Sequence, residues 1–218
     1  MVDGKLICVN DMSYTHSLKY RSSLNKEFLR FQIQLIFSFV LILFLLFCGF
    51  LWAFGFLLVL FIVSVLVYKF FRKKDNWLTR FIFEVEMEYE EGFPGKETAI
   101  TLLGFLTVFV ILYAMSYFVQ FPVTWALVLG LVNMGFANNL AALILWKTKH
   151  QYIIFGTTME FLLLSTALGF LIFFILGLPY YVAIFLSFVP NLFLIIPRLN
   201  HNLITLFVTS LLYIVLFI

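Results

Sequence analysis

Along the chain, apolar residues come in runs that stay apolar on every face, and charged residues come in a few clusters between them. Such runs read as buried or membrane-crossing helices, since a half-buried strand alternates and an amphipathic helix keeps a polar stripe. Phe31 to Tyr68 holds no charge. A crossing takes about 20 residues, so this run predicts two short helices with a turn near Cys48 to Gly55, punctuated by Gly49 and Gly55. A polar segment follows, from Lys69 to Glu97. It opens on the basic patch Lys69, Arg72, Lys73 and Lys74, turns acidic through Glu84, Glu86, Glu88, Glu90 and Glu91, and closes on Gly92-Phe93-Pro94-Gly95-Lys96. The third helix is expected from about Ala99 to Phe118 and the fourth from Trp125 to Lys149. The fifth is expected from Glu160 to Leu176, a sixth after Gly177-Leu178-Pro179 ending at Pro197, and a seventh from Leu203 to Ile218.

The positive-inside rule tests that count independently. With seven spans and a cytoplasmic N-terminus, the inner segments are 1 to 30, 69 to 98, 146 to 159 and 197 to 202. All 14 Lys and Arg fall on them. All 11 Asp and Glu fall on the same side, counting Glu160 at the mouth of the fifth span. Six or eight spans would scatter charges to both sides. The expected fold is therefore an all-α integral membrane protein of about seven transmembrane helices. It has a cytoplasmic arm at 1–30 and one polytopic domain at 31–218, with a charged cytoplasmic loop at 69–98.

Composition agrees: 64% of the 218 residues are hydrophobic, 11% are charged and the mean hydropathy is +1.09, outside the range of soluble domains. A β-barrel is excluded because it needs short alternating strands with polar lumen positions. Cys8 lies in the polar arm and Cys48 in an apolar run, so a disulfide between them is not expected, and no Cys/His cluster offers a zinc site. The first thirty residues have no apolar core of a cleavable signal, so the first helix is expected to drive insertion. The 30 phenylalanines read as lipid-facing bulk and packing filler. The basic patch reads as a topology signal and a contact to anionic lipid, with nothing to support nucleic-acid binding.

Polar groups gathered on one side, behind which lies only apolar chain, suit a protein that acts at one membrane face. A channel or transporter would carry polar groups through the whole thickness. Four polar clusters stand where helices meet the cytoplasm. Glu27, Arg30 and Gln34 share one face at a helix start. Phe93-Pro94-Gly95-Lys96 places a cation and backbone amides near a helix N-terminus, which suits an anion such as phosphate and equally a snorkelling lysine. Asn138, Asn139 and Lys147 on the fourth helix face Thr157, Thr158 and Glu160 at the mouth of the fifth. A carboxylate there can hold Mg²⁺ with amide and phosphate oxygens; the plainer alternative is that the asparagines bond between helices and Glu160 caps one. Asn200-His201-Asn202-Leu203, ahead of the last helix, is satisfied as an N-cap.

Taken in order, these clusters resemble the CTP-dependent lipid kinases: dolichol kinase, phytol kinase and the fungal diacylglycerol kinases. That family has Glu-x-x-Arg-Lys-x-x-His, read here as Glu27 to Gln34 with Phe31 for Lys and Gln34 for His. Its Phe-Pro-Gly-Lys-Gly turn and following Leu-Gly match Phe93-Pro94-Gly95-Lys96-Glu97 and Leu103-Gly104. Its Gly-Asp-x-x-Ala-Ser stands at Ala137-Asn138-Asn139-Leu140-Ala141-Ala142. Its Lys-Thr-x-Glu-Gly stands at Thr157-Thr158-Met159-Glu160-Phe161, and its Asp-Asn-Leu at His201-Asn202-Leu203.

The resemblance implies transfer of a γ-phosphoryl group from CTP, or another nucleoside triphosphate, to the hydroxyl of a polyprenol, a phytol-like alcohol or a diacylglycerol. Glu160 and Asn138 would hold Mg²⁺ and, with Lys96, form the catalytic group. Arg30, Lys147, Thr158 and Asn202 would bind the nucleotide, and Glu27, Gln34 and Asn139 would support them. Either Glu160 or Glu97 would serve as base. Asn138 keeps the oxygen of the family's Asp and loses its charge and basicity. The alternative is a non-catalytic protein on the same scaffold that binds a lipid or a partner helix. The expected membrane is the plasma membrane in a prokaryote and the endoplasmic reticulum in a eukaryote.

Overall fold

The charge-free run is cut at Gly49, whose φ of 88° lies in the region that glycine enters without steric cost. In this computed structural model, which describes residues 24–71, 96–120, 122–145, 153–154, 157–193 and 201–217, the chain before that cut is helix α1, Leu24–Leu43, closed by a π-turn at Phe44–Cys48. Helix α2, Phe50–Leu66, follows at once and ends in a second π-turn, Val67–Phe71. Gly55 lies inside α2, so one glycine and not two makes the turn. Helix α3 is Lys96–Val119, and α4 runs Val123–Leu145. Helices α5, Met159–Ile175, α6, Tyr180–Leu192, and α7, His201–Phe217, complete the set among the described residues. The fourth helix is described as far as Leu145, and the sixth ends at Leu192; the rest of the expected fourth span to Lys149 and the stretch up to Pro197 fall in 146–152 and 194–200, outside the described residues.

The architecture is all-helical apart from a two-residue antiparallel pairing, Ile153 with Thr158 and Ile154 with Thr157, just before α5. Two helical stretches, Thr98–Val119 and Val123–Leu145, are long and apolar enough to cross a membrane.

Three connections are very short, and each turns on one residue with positive φ: Gly49, Gln120 at 53° and Gly177 at 85°. At the last of these, the Gly177 amide donates to Phe174 O and the Leu178 amide to Phe173 O, at 3.0 and 3.1 Å. This pairing satisfies two end carbonyls of α5, and Pro179 then stops the helix from resuming. Short turns make α1/α2, α3/α4 and α5/α6 antiparallel pairs. Their turns gather at one end of the bundle, and the starts of α1, α3, α5 and α7 lie at the other.

Helix α4 is the axis: every residue from Ala126 to Gly135 is buried. Glycines let its neighbours come close. A Cβ on Gly130 would stand 2.7 Å from Leu206 O and 2.5 Å from Ser210 Oγ on α7, and Ser210 Oγ donates to Ala126 O at 2.8 Å. On the side facing α1, a Cβ on Gly135 would overlap Ser38. Backbones that approach through small residues gain dispersion and short polar contacts, the usual glue where lipid removes the hydrophobic drive between helices. Around this axis lie Leu41, Leu45, Phe109, Leu112, Phe173, Leu186 and Leu206, all fully buried. The outside is apolar too: Leu51, Leu58, Val59 and Ile62 on α2, Leu163 and Leu171 on α5, and Ile184 and Phe188 on α6 are exposed.

Candidate functional site

The distinctive feature of α4 is the π-turn Asn133–Asn138. In a regular α-helix, residues five apart lie about 140° around the axis from one another, at about 100° per residue. A turn closed i to i+5 returns the fifth residue close to the same face. Asn133 and Asn138 therefore both look towards α7, where Thr205 and Thr209 stand one turn apart on one face. Asn138 Nδ2 donates to Thr205 Oγ1 at 3.1 Å and Asn133 Nδ2 to Thr209 Oγ1 at 2.9 Å.

Two polar layers result. In the inner one, Asn133 Nδ2 also donates to Leu186 O on α6 at 3.0 Å, which fixes the orientation of the amide because a carbonyl can only accept. Asn133 Oδ1 then faces Gly169 on α5, where a Cβ would lie 3.0 Å from it, and no protein donor reaches it. In the outer layer, Ser165 Oγ on α5 donates to Asn138 Oδ1, and Asn191 Nδ2 on α6 donates to Ser165 Oγ at 3.0 Å and to Thr166 Oγ1 at 3.2 Å. Four helices are thus joined by one directional chain of hydroxyls and amides without a formal charge. Asn191 is 1% exposed, and its Oδ1 has no donor among the described residues.

The residues expected to form a site fall into three groups. Asn138 and Asn139 are buried on α4, but only Asn138 reaches other helices; Asn139 Nδ2 donates to Gly135 O in its own helix at 3.0 Å. Glu160 is half-buried in the first turn of α5, Asn202 half-buried in the first turn of α7, and Gln34 half-buried on α1. Glu27 and Arg30 lie in the early part of α1, Lys96 and Glu97 open α3, and Thr158 pairs with Ile153; only their backbone is described. Lys147 and Phe93-Pro94-Gly95 lie outside the described residues.

The segments carrying the clusters touch one another in pairs. Ser38, one turn after Gln34, packs on Gly135, and Leu203 of the last cluster fills the surface of Gly104, where a Cβ would overlap its side chain. Asn138 bonds to Ser165, five residues into α5 from Glu160, a rise of about 7.5 Å. Asn138 Oδ1 accepts the Ser165 proton, so in this arrangement it is engaged within the bundle. Among the described residues, no three of His, Cys, Asp or Glu come together as metal ligands.

Sequence reasoning missed Ser165, Thr166, Asn191, Thr205 and Thr209. The available signal was small polar residues inside apolar runs, at a spacing of four in Thr205 and Thr209 and directly after a proline in Asn191. Compared with known protein families, characterised proteins and solved structures, the chain matches none.

Proposed function

We propose that this chain is a seven-span integral membrane protein that binds a lipid alcohol at one membrane face, on the scaffold of the CTP-dependent lipid kinases, and does not itself transfer phosphate. Support for the membrane placement comes from both ends of the bundle. The end with the short turns carries no charge in sequence, and it exposes Phe47, Trp52, Tyr117, Phe118, Trp125, Tyr180 and Tyr181, the composition of an interfacial aromatic belt. In sequence, every charged cluster adjoins the helix ends at the opposite end, as on a cytoplasmic face. Support for the scaffold comes from the packing of Gly104 on Leu203, which joins the segments of the second and fourth clusters, and of Ser38 on Gly135, which joins those of the first and third.

The observation that carries the non-catalytic reading is the engagement of Asn138. At the position where the resembling kinases have an acid, its amide gives its donor to Thr205 and accepts from Ser165. A phosphoryl transferase works by charge neutralisation and positioning, and here the corresponding group is neutral and occupied in holding α4, α5 and α7 together.

One observation favours the kinase reading: the starts of α3, α5 and α7, with Lys96, Glu160 and Asn202, share one end of the bundle. In that reading Lys96, Arg30 and Lys147 meet the phosphates of CTP and Glu160 acts beside them. The deciding experiment offers purified protein labelled CTP or ATP, Mg²⁺ and a panel of polyprenol, phytol, geranylgeraniol and diacylglycerol, with alcohol binding measured in parallel. Binding without transfer is expected. Transfer to any alcohol that is lost in Glu160→Gln overturns the proposal in favour of the kinase.

A further inference from the structure

The outer polar layer is a relay with one direction and an open end. Ser165 has a single proton, given to Asn138 Oδ1, so Ser165 Oγ can only accept from Asn191 Nδ2. This fixes the Asn191 amide with its oxygen pointing away from Ser165. That oxygen is buried and has no donor among the described residues. An acceptor left so in an apolar interior costs roughly 1–3 kcal/mol, which a donor arriving with a ligand recovers. Beside it, half-buried Thr166 Oγ1 accepts from the same Asn191 Nδ2 and so can turn its own proton outward. An acceptor and a donor side by side on adjacent helices fit a group that both donates and accepts, and a hydroxyl is the simplest.

The surroundings say what carries that hydroxyl. One helical turn before Thr166 and Asn191 stand Leu163 on α5 and Phe188 on α6, and Leu192 follows Asn191; all three are exposed and apolar. A molecule entering here comes from an apolar exterior, with a hydrocarbon body left outside and its polar end inside. We propose that Asn191 Oδ1 and Thr166 Oγ1 form the recognition pair for the hydroxyl of a membrane lipid alcohol entering through the α5/α6 seam. The alcohol donates to Asn191 and accepts from Thr166. This inference deepens the lipid-binding reading above and rests on it.

The test uses full-length protein in nanodiscs, without nucleotide, and compares geranylgeraniol with geranylgeranyl methyl ether, which keeps the tail and the oxygen and lacks the O–H. The alcohol is expected to bind about tenfold more tightly than the ether, the size of one net hydrogen bond. Thr166→Val and Asn191→Leu should each bring the alcohol down to the level of the ether. Should Asn191→Leu not fold, Thr166→Val and the ether comparison on the unaltered protein still decide. Equal binding of alcohol and ether overturns the recognition pair and leaves lipid binding standing; binding of neither overturns both.

Discussion

Asn133 on α4 donates to the one carbonyl in α6 that Pro190 strips of its helical partner. Residue 190 would normally donate to the oxygen of residue 186; proline has no N–H, and Asn133 Nδ2 takes its place at 3.0 Å from Leu186 O. The proline in one helix and the asparagine in another are a single structural unit. Interhelical hydrogen bonds inside membranes average about 0.6 kcal/mol, but a stranded carbonyl costs roughly 1–3 kcal/mol. Asn133→Leu is therefore expected to destabilise the protein by about 2 kcal/mol. In a Pro190→Ala background, where the backbone supplies its own donor, the cost should fall by about 1 kcal/mol. A double-mutant cycle by denaturant unfolding in mixed micelles reads this coupling, and additive effects would refute it.

The two close glycines should respond differently to a methyl group. At Gly130 the added carbon meets the backbone oxygen of Leu206, which moves only with α7. At Gly104 it meets the far end of the Leu203 side chain, which can rotate away. Gly130→Ala is expected to cost about 2–3 kcal/mol and Gly104→Ala about 1 kcal/mol or less. Equal losses in the same unfolding assay would mean that backbone approach is not what limits the α4/α7 contact.

Gln120 adopts a conformation that suits glycine, as do Gly49 and Gly177 in the other two short turns. The left-handed region costs a side-chain-bearing residue about 1–2 kcal/mol, part of which a glycine returns as unfolded-state entropy. Gln120→Gly should raise stability by about 0.5–1 kcal/mol, visible as a higher unfolding midpoint. Gly49→Ala and Gly177→Ala should lower it by about 1 kcal/mol each.

Asn138 and Glu160 separate support of the bundle from chemistry. Asn138→Leu leaves the Ser165 and Thr205 hydroxyls without their partner and is expected to cost roughly 1–3 kcal/mol. Glu160→Gln is expected to leave geranylgeraniol binding within twofold of the unaltered protein, as measured by competition with a fluorescent polyprenol. A large loss in Glu160→Gln would return weight to the catalytic reading.

Helix placement among the described residues was legible because charge-free length and glycine punctuation are local signals: the break fell at Gly49, inside the expected window, and α5 shifted by one residue. The asparagines of α4 were visible as polar groups too deep to be idle. Their partners were not, since nothing local in Ser165, Asn191 or Thr205 says which helix each will meet. The π-turn was hidden for another reason. A period of 3.6 puts Asn133 and Asn138 on different faces, and only the packed bundle reveals that the helix adds a residue to bring them together. Pro190 was readable as a helix breaker, but the donor it requires lies 57 residues away, at Asn133.

The three tight turns at the uncharged end bear on how the protein is made. In the seven-span arrangement, the turns at Gly49, Gln120 and Gly177 are tips of a few apolar or amide residues, and these are all that must pass to the far side at α1/α2, α3/α4 and α5/α6. A ribosome-bound insertion machine would then have no charged loop to carry through the bilayer core at any of these three turns. Helix α7 would then dock through Thr205, Leu206, Thr209 and Ser210 onto an α4 already waiting with its asparagines aligned.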